Sequence, residues 1–148
     1  MPTIPRHAIE LADELRTVLK YLMRRLRQEG DEDPSGLSLH QKLLLASIDQ
    51  HPGIGVAELA RLEKLRGPTM SGHVKSLEAA GFVERAADPE DRRRAGLFLS
   101  AKGRQVLDDV RSRRRDWLAR ELARLPEEGA VALRQAIAYL KEIGEVGV

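Results

Sequence analysis

A length of 148 residues suits one compact domain, or a small lobe joined to an oligomerisation element. Hydrophobic residues make up 42% of the chain but aromatic residues only 3%, so the core must be built from aliphatic side chains. The net charge is only +2, and cysteine is absent, which excludes disulfides, thiolate metal sites and thiol-based redox sensors.

No apolar run approaches the length of a membrane span, and the amino terminus lacks the pattern of a signal peptide. We therefore expect a cytoplasmic protein that has no membrane partner.

The charge is unevenly distributed along the chain. Residues 61–104 carry ten Lys or Arg against six Asp or Glu, whereas residues 1–60 carry seven against nine. A basic middle between acidic ends favours an anion-binding face in the middle, although a solvated surface produces the same pattern. Asparagine is absent, so in any DNA complex the base edges would be contacted by Arg, Lys, Gln, Ser, Thr or His.

The first half of the chain predicts a long helix followed by a shorter one. Apolar residues recur at helical spacing between Ala8 and Glu29, and Gly30 is expected to end that helix. Ser38 and Gln41 have the spacing of a capping box that opens the second helix, which ends near residues 51–53.

The next segment predicts a helix-turn-helix followed by a hairpin. A short helix from Val56 to Glu63 precedes a turn, and Pro68 suits the first position of a second helix that ends before Gly81. Two apolar runs, 82–85 and 97–99, flank a charged loop at 88–96. Ser100 is expected to cap a helix reaching about residue 125, and a last helix follows Pro126.

The second helix of the helix-turn-helix is predicted to present a small, polar outer side to DNA. Met70, Val74 and Leu77 share one face by their spacing and must point to the core. The residues left for contact with DNA are the polar ones of that helix: Thr69, Ser71, His73, Lys75 and Ser76. An arginine on the charged hairpin tip suits the narrow minor groove of A/T-rich DNA.

These residues resemble the MarR family (multiple antibiotic resistance regulators). The resemblance is concentrated in residues 56–104 and rests on Glu58-Leu59-Ala60, on the run 77–85, on Asp88-Pro89-Glu90-Asp91-Arg92-Arg93 and on Leu99-Ser100-Ala101-Lys102-Gly103. It implies a mainly α fold with a small β-hairpin wing. Residues 38–100 would form a winged helix-turn-helix lobe, and residues 1–37 and 101–148 a helical dimerisation lobe, within a single domain.

The resemblance also implies a function and a partner. It implies a homodimer that binds double-stranded DNA at a palindromic operator, usually as a repressor, and that is often released by a small aromatic acid. Carried over onto this chain, Arg93 would be the arginine of the wing, with Asp91 as its brace and Arg92 and Arg94 on phosphates. Ser71 matches a hydroxyl position of the recognition helix. Gly72 departs from the family pattern, where an arginine is frequent, so Lys75, His73 or Arg66 would have to compensate.

The sequence also bears on other classes of function. No Gly-rich phosphate loop, nucleophile elbow or paired acid motif is present, so the chain is not expected to be an enzyme. A winged helix that binds protein instead of DNA is the alternative. His40, His51 and the acids around Asp49 could assemble a zinc site, but each histidine is more simply a surface or capping residue. The sequence therefore predicts no metal and no cofactor. A ligand crevice, if present, would draw on Arg16, Tyr21, His40 and Arg113.

Overall fold

The computed structural model describes residues 3–87, 90 and 95–144. In that part of the chain, six helices and one antiparallel two-stranded sheet confirm the predicted mainly helical fold with a small hairpin. The elements in chain order are α1 (Arg6–Asp31), α2 (Leu39–Gln50), α3 (Val56–Leu62), α4 (Gly67–Ala79), β1 (Val83–Ala87), β2 (Ala95–Leu99), α5 (Ala101–Leu122) and α6 (Glu127–Gly144).

Local sequence signals begin and end these helices as expected. The capping box of α2 is present, because Ser38 Oγ accepts from the Gln41 amide and Gln41 Oε1 accepts from the Ser38 amide. Ser100 caps α5 by accepting from the Gly103 amide at 3.0 Å. Gly81 follows α4 with φ of 82°, a backbone conformation that glycine adopts without strain.

Several boundary predictions were wrong. Gly30 does not end the first helix, which continues to Asp31. Gly30 packs against α5, where a Cβ would lie 2.6 Å from Arg114 Nε and 3.0 Å from Val110 Cγ1. Pro68 is the second residue of α4, because the helix already begins at Gly67. The first strand begins at Val83, and both strands are longer than predicted because they pair in register from Val83↔Leu99 to Ala87↔Ala95.

The hydrophobic core lies in the middle of the chain. It combines α2, α3 and α4 with the two strands and the first half of α5. Its fully buried large side chains are Leu44, Leu45, Ile48, Leu59, Met70, Val74, Leu77, Val83, Leu97 and Val110. This core holds α4 against the rest of the helix-turn-helix.

Helices α1 and α6 contribute little to that core. In α1 the buried residue is Gly30, and α6 has none. Both helices nevertheless carry large apolar side chains that are exposed in a single chain, among them Val18, Leu19, Val131, Ile137 and Ile143. In the ranges the model covers, no helix is long and apolar enough to cross a membrane.

The base of the hairpin is tied to the turn after α2. Leu97 pairs with Ile54 in an isolated antiparallel bridge, and the Gly53 amide donates to the Leu97 carbonyl at 2.8 Å. A Cβ on Gly96 would lie 2.7 Å from the Gly53 carbonyl oxygen, so this close approach requires glycine. The hairpin therefore leaves the core in a fixed direction.

Candidate nucleic-acid interface

The orientation of α4 follows from its buried face. Met70, Val74 and Leu77 are each 0% exposed, so the opposite side of the helix must face solvent. Thr69, Lys75 and Ser76 of the predicted contact residues are exposed there, and Ser71 is half-buried at its margin. Gly72 lies among them with open space where a Cβ would be. A smooth polar surface of this kind allows close approach to base edges.

His73 has a different surrounding from the other predicted contact residues. It is half-buried and its ring contacts His40 of α2, with ring centroids 4.8 Å apart. His73 therefore lies at the edge of the outer side of α4 and also contacts α2.

Positive charge lies on α4 and on the α3–α4 segment that precedes it. Arg61, Lys64, Arg66 and Lys75 are exposed, and within residues 3–87 none of them forms an ion pair. The amino end of a helix also favours anions through its free amides and its dipole. Arg61 and Lys64 were missed by the sequence reasoning, although their position in the turn before the predicted recognition helix would have indicated them.

Lys64 is the one non-glycine residue of the described chain with a positive φ, at 54°. A side chain in the left-handed region costs about 1 kcal/mol relative to glycine. The conformation belongs to the C-cap of α3, where the Leu65 amide donates to the Ala60 carbonyl at 2.9 Å and the Lys64 amide donates to the Arg61 carbonyl at 3.3 Å.

The wing is described only at its base. β1 and β2 pair as far as Ala87 and Ala95. Its predicted DNA-binding residues, Asp91, Arg92, Arg93 and Arg94, lie outside the described residues. Their roles stay a prediction.

Two sets of ion pairs join the elements around this lobe. Lys42 of α2 pairs with Asp33 in the loop after α1 and donates to the Gly30 carbonyl at 3.0 Å, and both charged side chains are almost fully buried. Burial raises the pKa of Asp33, but the hydrogen bonds from Lys42 and Ser35 outweigh it and hold the pKa below its usual value.

The second set joins α2 to α5. Asp49 accepts from Arg111 and Arg104, each at 3.0 Å. The hydrogen bond from Arg111, with that from Arg104, lowers the pKa of Asp49. Asp49 is therefore engaged by arginines, and it does not join His40 and His51 in the zinc site that was weighed from the sequence. Among the residues the structure places, no group of three potential ligands is assembled.

The predicted crevice residues are spread over three helices. Arg16 and Tyr21 are exposed on α1, His40 is half-buried on α2 and Arg113 is exposed on α5. No hydrogen bond, ion pair or ring contact in the described chain joins these four. A cleft of about 380 Å³ lies elsewhere, between the loop at Asp33–Ser35, Phe82 and the first turns of α5. The crevice therefore stays a prediction.

Comparisons with known proteins agree with this geometry. The sequence model of the MarR family matches residues 37–95. The HTH-type transcriptional regulator MT0903.1 of Mycobacterium tuberculosis is 32% identical over 126 residues, which cover 85% of this chain and 87% of that protein. The HTH-type transcriptional repressor Rv2887 of the same species is 36% identical over 92 residues, which cover 62% of this chain and 66% of that protein.

A solved structure gives the same result for the fold. The crystal structure of a transcriptional regulator from Pseudomonas aeruginosa superposes with a TM-score of 0.79 and 32% sequence identity, over 97% of this chain and 99% of that one. Members of this family are transcription regulators and not enzymes, as the sequence predicted. The family match, the similarity over most of both chains and the exposed α4 beside its hairpin together show that the chain belongs to the MarR family of winged helix-turn-helix transcription regulators.

Proposed function

We propose that this regulator is a repressor that binds a palindromic operator as a homodimer in the cytoplasm. The observation that carries the proposal is the outer side of α4, a polar surface flanked by the four exposed cations Arg61, Lys64, Arg66 and Lys75. Cations without a protein partner are suited to phosphates, while the small side chains between them leave room for base edges. The name of the relative Rv2887 supports repression.

The homodimer is supported by the terminal helices. α6 buries none of its residues in a single chain, and α1 exposes apolar side chains along most of its length. A monomer rarely exposes so much contiguous apolar surface. Pairing of these helices between two chains would bury it, and would set two copies of α4 about one turn of DNA apart, ~34 Å.

We further propose that binding of a small organic acid releases the protein from its operator. The exposed Arg16 and Arg113 supply positive charge for a carboxylate, and Tyr21 and His40 supply rings for an aromatic group. A ligand that holds α1 and α5 at a new separation would change the distance between the two copies of α4.

The test is a gel-shift titration with the duplex from the promoter of this gene, at two salt concentrations, against a scrambled duplex of equal length. We expect selective binding that weakens steeply as salt rises, because phosphate contacts release counterions. Equal weak binding to both duplexes would refute an operator at that promoter.

The alternative function is a protein-binding adaptor that uses the same winged helix. An adaptor would not be retained on heparin at moderate salt, and its DNA binding would show no steep dependence on salt.

A pair of matched variants tests the proposed DNA contact directly. Lys75→Gln lies on the outer side of α4, and Lys20→Gln lies on α1, where Lys20 is equally exposed and without an ion pair in the described chain. The proposal requires that only the first substitution weakens operator binding.

A further inference from the structure

Two histidines from separate helices meet beside the recognition helix. His40 is the second residue of α2, His73 is in the middle of α4, and their ring centroids lie 4.8 Å apart with an interplanar angle of 55°. The other two histidines, His7 and His51, are exposed and take part in no ring contact within the described chain. The pair is therefore a specific product of the fold.

The pair contains a nitrogen that lacks a partner. His40 Nε2 is shielded from solvent and makes no hydrogen bond. Neither imidazole forms a hydrogen bond or ion pair with the part of the protein that is described. An unsatisfied buried polar atom costs about 1–3 kcal/mol, so such an atom calls for a partner that the chain itself does not supply.

The ring separation matches a shared metal ion. Two imidazoles that bind one tetrahedral zinc ion through bonds of about 2.0–2.1 Å place their centroids ~5 Å apart. The observed centroid distance of 4.8 Å is close to that value, so two imidazoles at this separation can share one ion once a nitrogen of each ring faces it. Imidazole nitrogen is a preferred ligand of Zn²⁺, Ni²⁺ and Cu²⁺.

We propose that His40 and His73 form a reversible binding site for a late first-row divalent cation such as Zn²⁺. No third histidine or carboxylate joins them among the residues described, so water fills the remaining coordination positions. The site is therefore weaker than a structural zinc site with four protein ligands. The ion would link α2 to α4. It would bind reversibly and would not be a resident cofactor.

Binding of Zn²⁺ is measured directly, by competition with a chromophoric chelator, on the full-length chain carrying no affinity tag. We expect about one ion per chain, with affinity reduced by more than about tenfold in His40→Ala and in His73→Ala, because each removes half of the protein ligands. His51→Ala and His7→Ala are the matched controls and should bind as the parent chain does. Equal binding by all four variants, or no binding by the parent chain, would overturn the site.

A second measurement covers the case in which an alanine variant folds poorly. Zn²⁺ should raise the melting temperature of the parent chain, since an ion that binds only the folded state stabilises it. The same addition should leave His40→Gln and His73→Gln unchanged, because an amide retains the polar bulk but is a poor ligand for zinc. An equal rise in these two variants would also contradict the proposal. Both measurements report metal binding alone, so their results do not depend on whether the protein binds DNA as proposed.

Discussion

At the scale of single residues, two helical glycines have opposite surroundings. A Cβ on Gly72 would meet nothing within 4 Å, whereas a Cβ on Gly103 would overlap the Phe82 carbonyl oxygen, which accepts from the Ser100 amide. We expect Gly72→Ala to raise the free energy of unfolding by about 0.5–1 kcal/mol, since alanine has less backbone freedom to lose. Gly103→Ala should lower it by about 1–3 kcal/mol. Urea denaturation of both variants checks the pair, and shifts in the same direction would contradict the packing described at Phe82.

Arg93 on the wing tip gives a second prediction at this scale. Arg93→Ala should weaken operator binding by about 1–3 kcal/mol, because the family resemblance implies that this arginine contacts the minor groove, while the fold and the proposed dimer stay intact. The measurement is the gel-shift titration, with size-exclusion chromatography as the check on assembly. Arg134→Ala is the matched control, because Arg134 is an exposed arginine on α6, away from the helix-turn-helix. Unchanged affinity of the Arg93 variant would show that the family's wing contact does not apply to this chain.

At the scale of elements, the Lys42–Asp33 pair joins α2 to the end of α1. Lys42→Met should lower the free energy of unfolding at neutral pH by about 3–5 kcal/mol, because it leaves a buried carboxylate without its cation. Lys20→Met, on the exposed side of α1, should change it by less than about 0.5 kcal/mol. Denaturation of both variants by urea makes the comparison, and equal small effects would contradict the buried pair.

The same pair gives a dependence on pH. The folded pKa of Asp33 lies below the unfolded value of 3.8, so its contribution to stability is present above that value and is lost as the pH falls through the folded pKa. In Lys42→Met, the largest cause that lowers the pKa is removed while burial, the largest cause that raises it, remains, so the carboxyl should take up a proton at a higher pH than in the parent chain. The deficit of this variant should therefore shrink as the pH falls from neutral toward about 4. A deficit that stays constant over this range would contradict the assignment.

Signals within a few residues of each other were sufficient to predict most element boundaries. The caps at Ser38, Ser100 and Gly81 are local, and so is the spacing that buries Met70, Val74 and Leu77. The surroundings of Gly30 could not be predicted in the same way, because its neighbours Arg114 and Val110 are distant in the sequence. Of the candidate site, the outer side of α4 followed from the helical period. The contact of His73 with His40 could not be foreseen, since it depends on how α2 packs against α4.

At the scale of the whole molecule, the exposed apolar faces of α1 and α6 are the surfaces that we propose for the dimer interface. Ile137 of α6 is 49% exposed in a single chain, and Leu62 of α3 is equally exposed. Ile137→Glu should convert the dimer to monomer, because it places a charge in the surface that we propose the two chains bury. Leu62→Glu should leave the dimer intact. Sedimentation equilibrium distinguishes the two, and a dimeric Ile137 variant would exclude this face of α6 from the interface.

The core described above ends at Val110 and begins at the partly buried Leu37, so the part of the chain that holds α4 is largely complete without α6. Under the proposed function, recognition of the base sequence and the spacing of the half-sites then depend on different segments. We expect that exchanging the central segment with that of another family member would change which bases are read while keeping the distance between them. A mixed dimer of the two chains would then recognise a site whose halves differ.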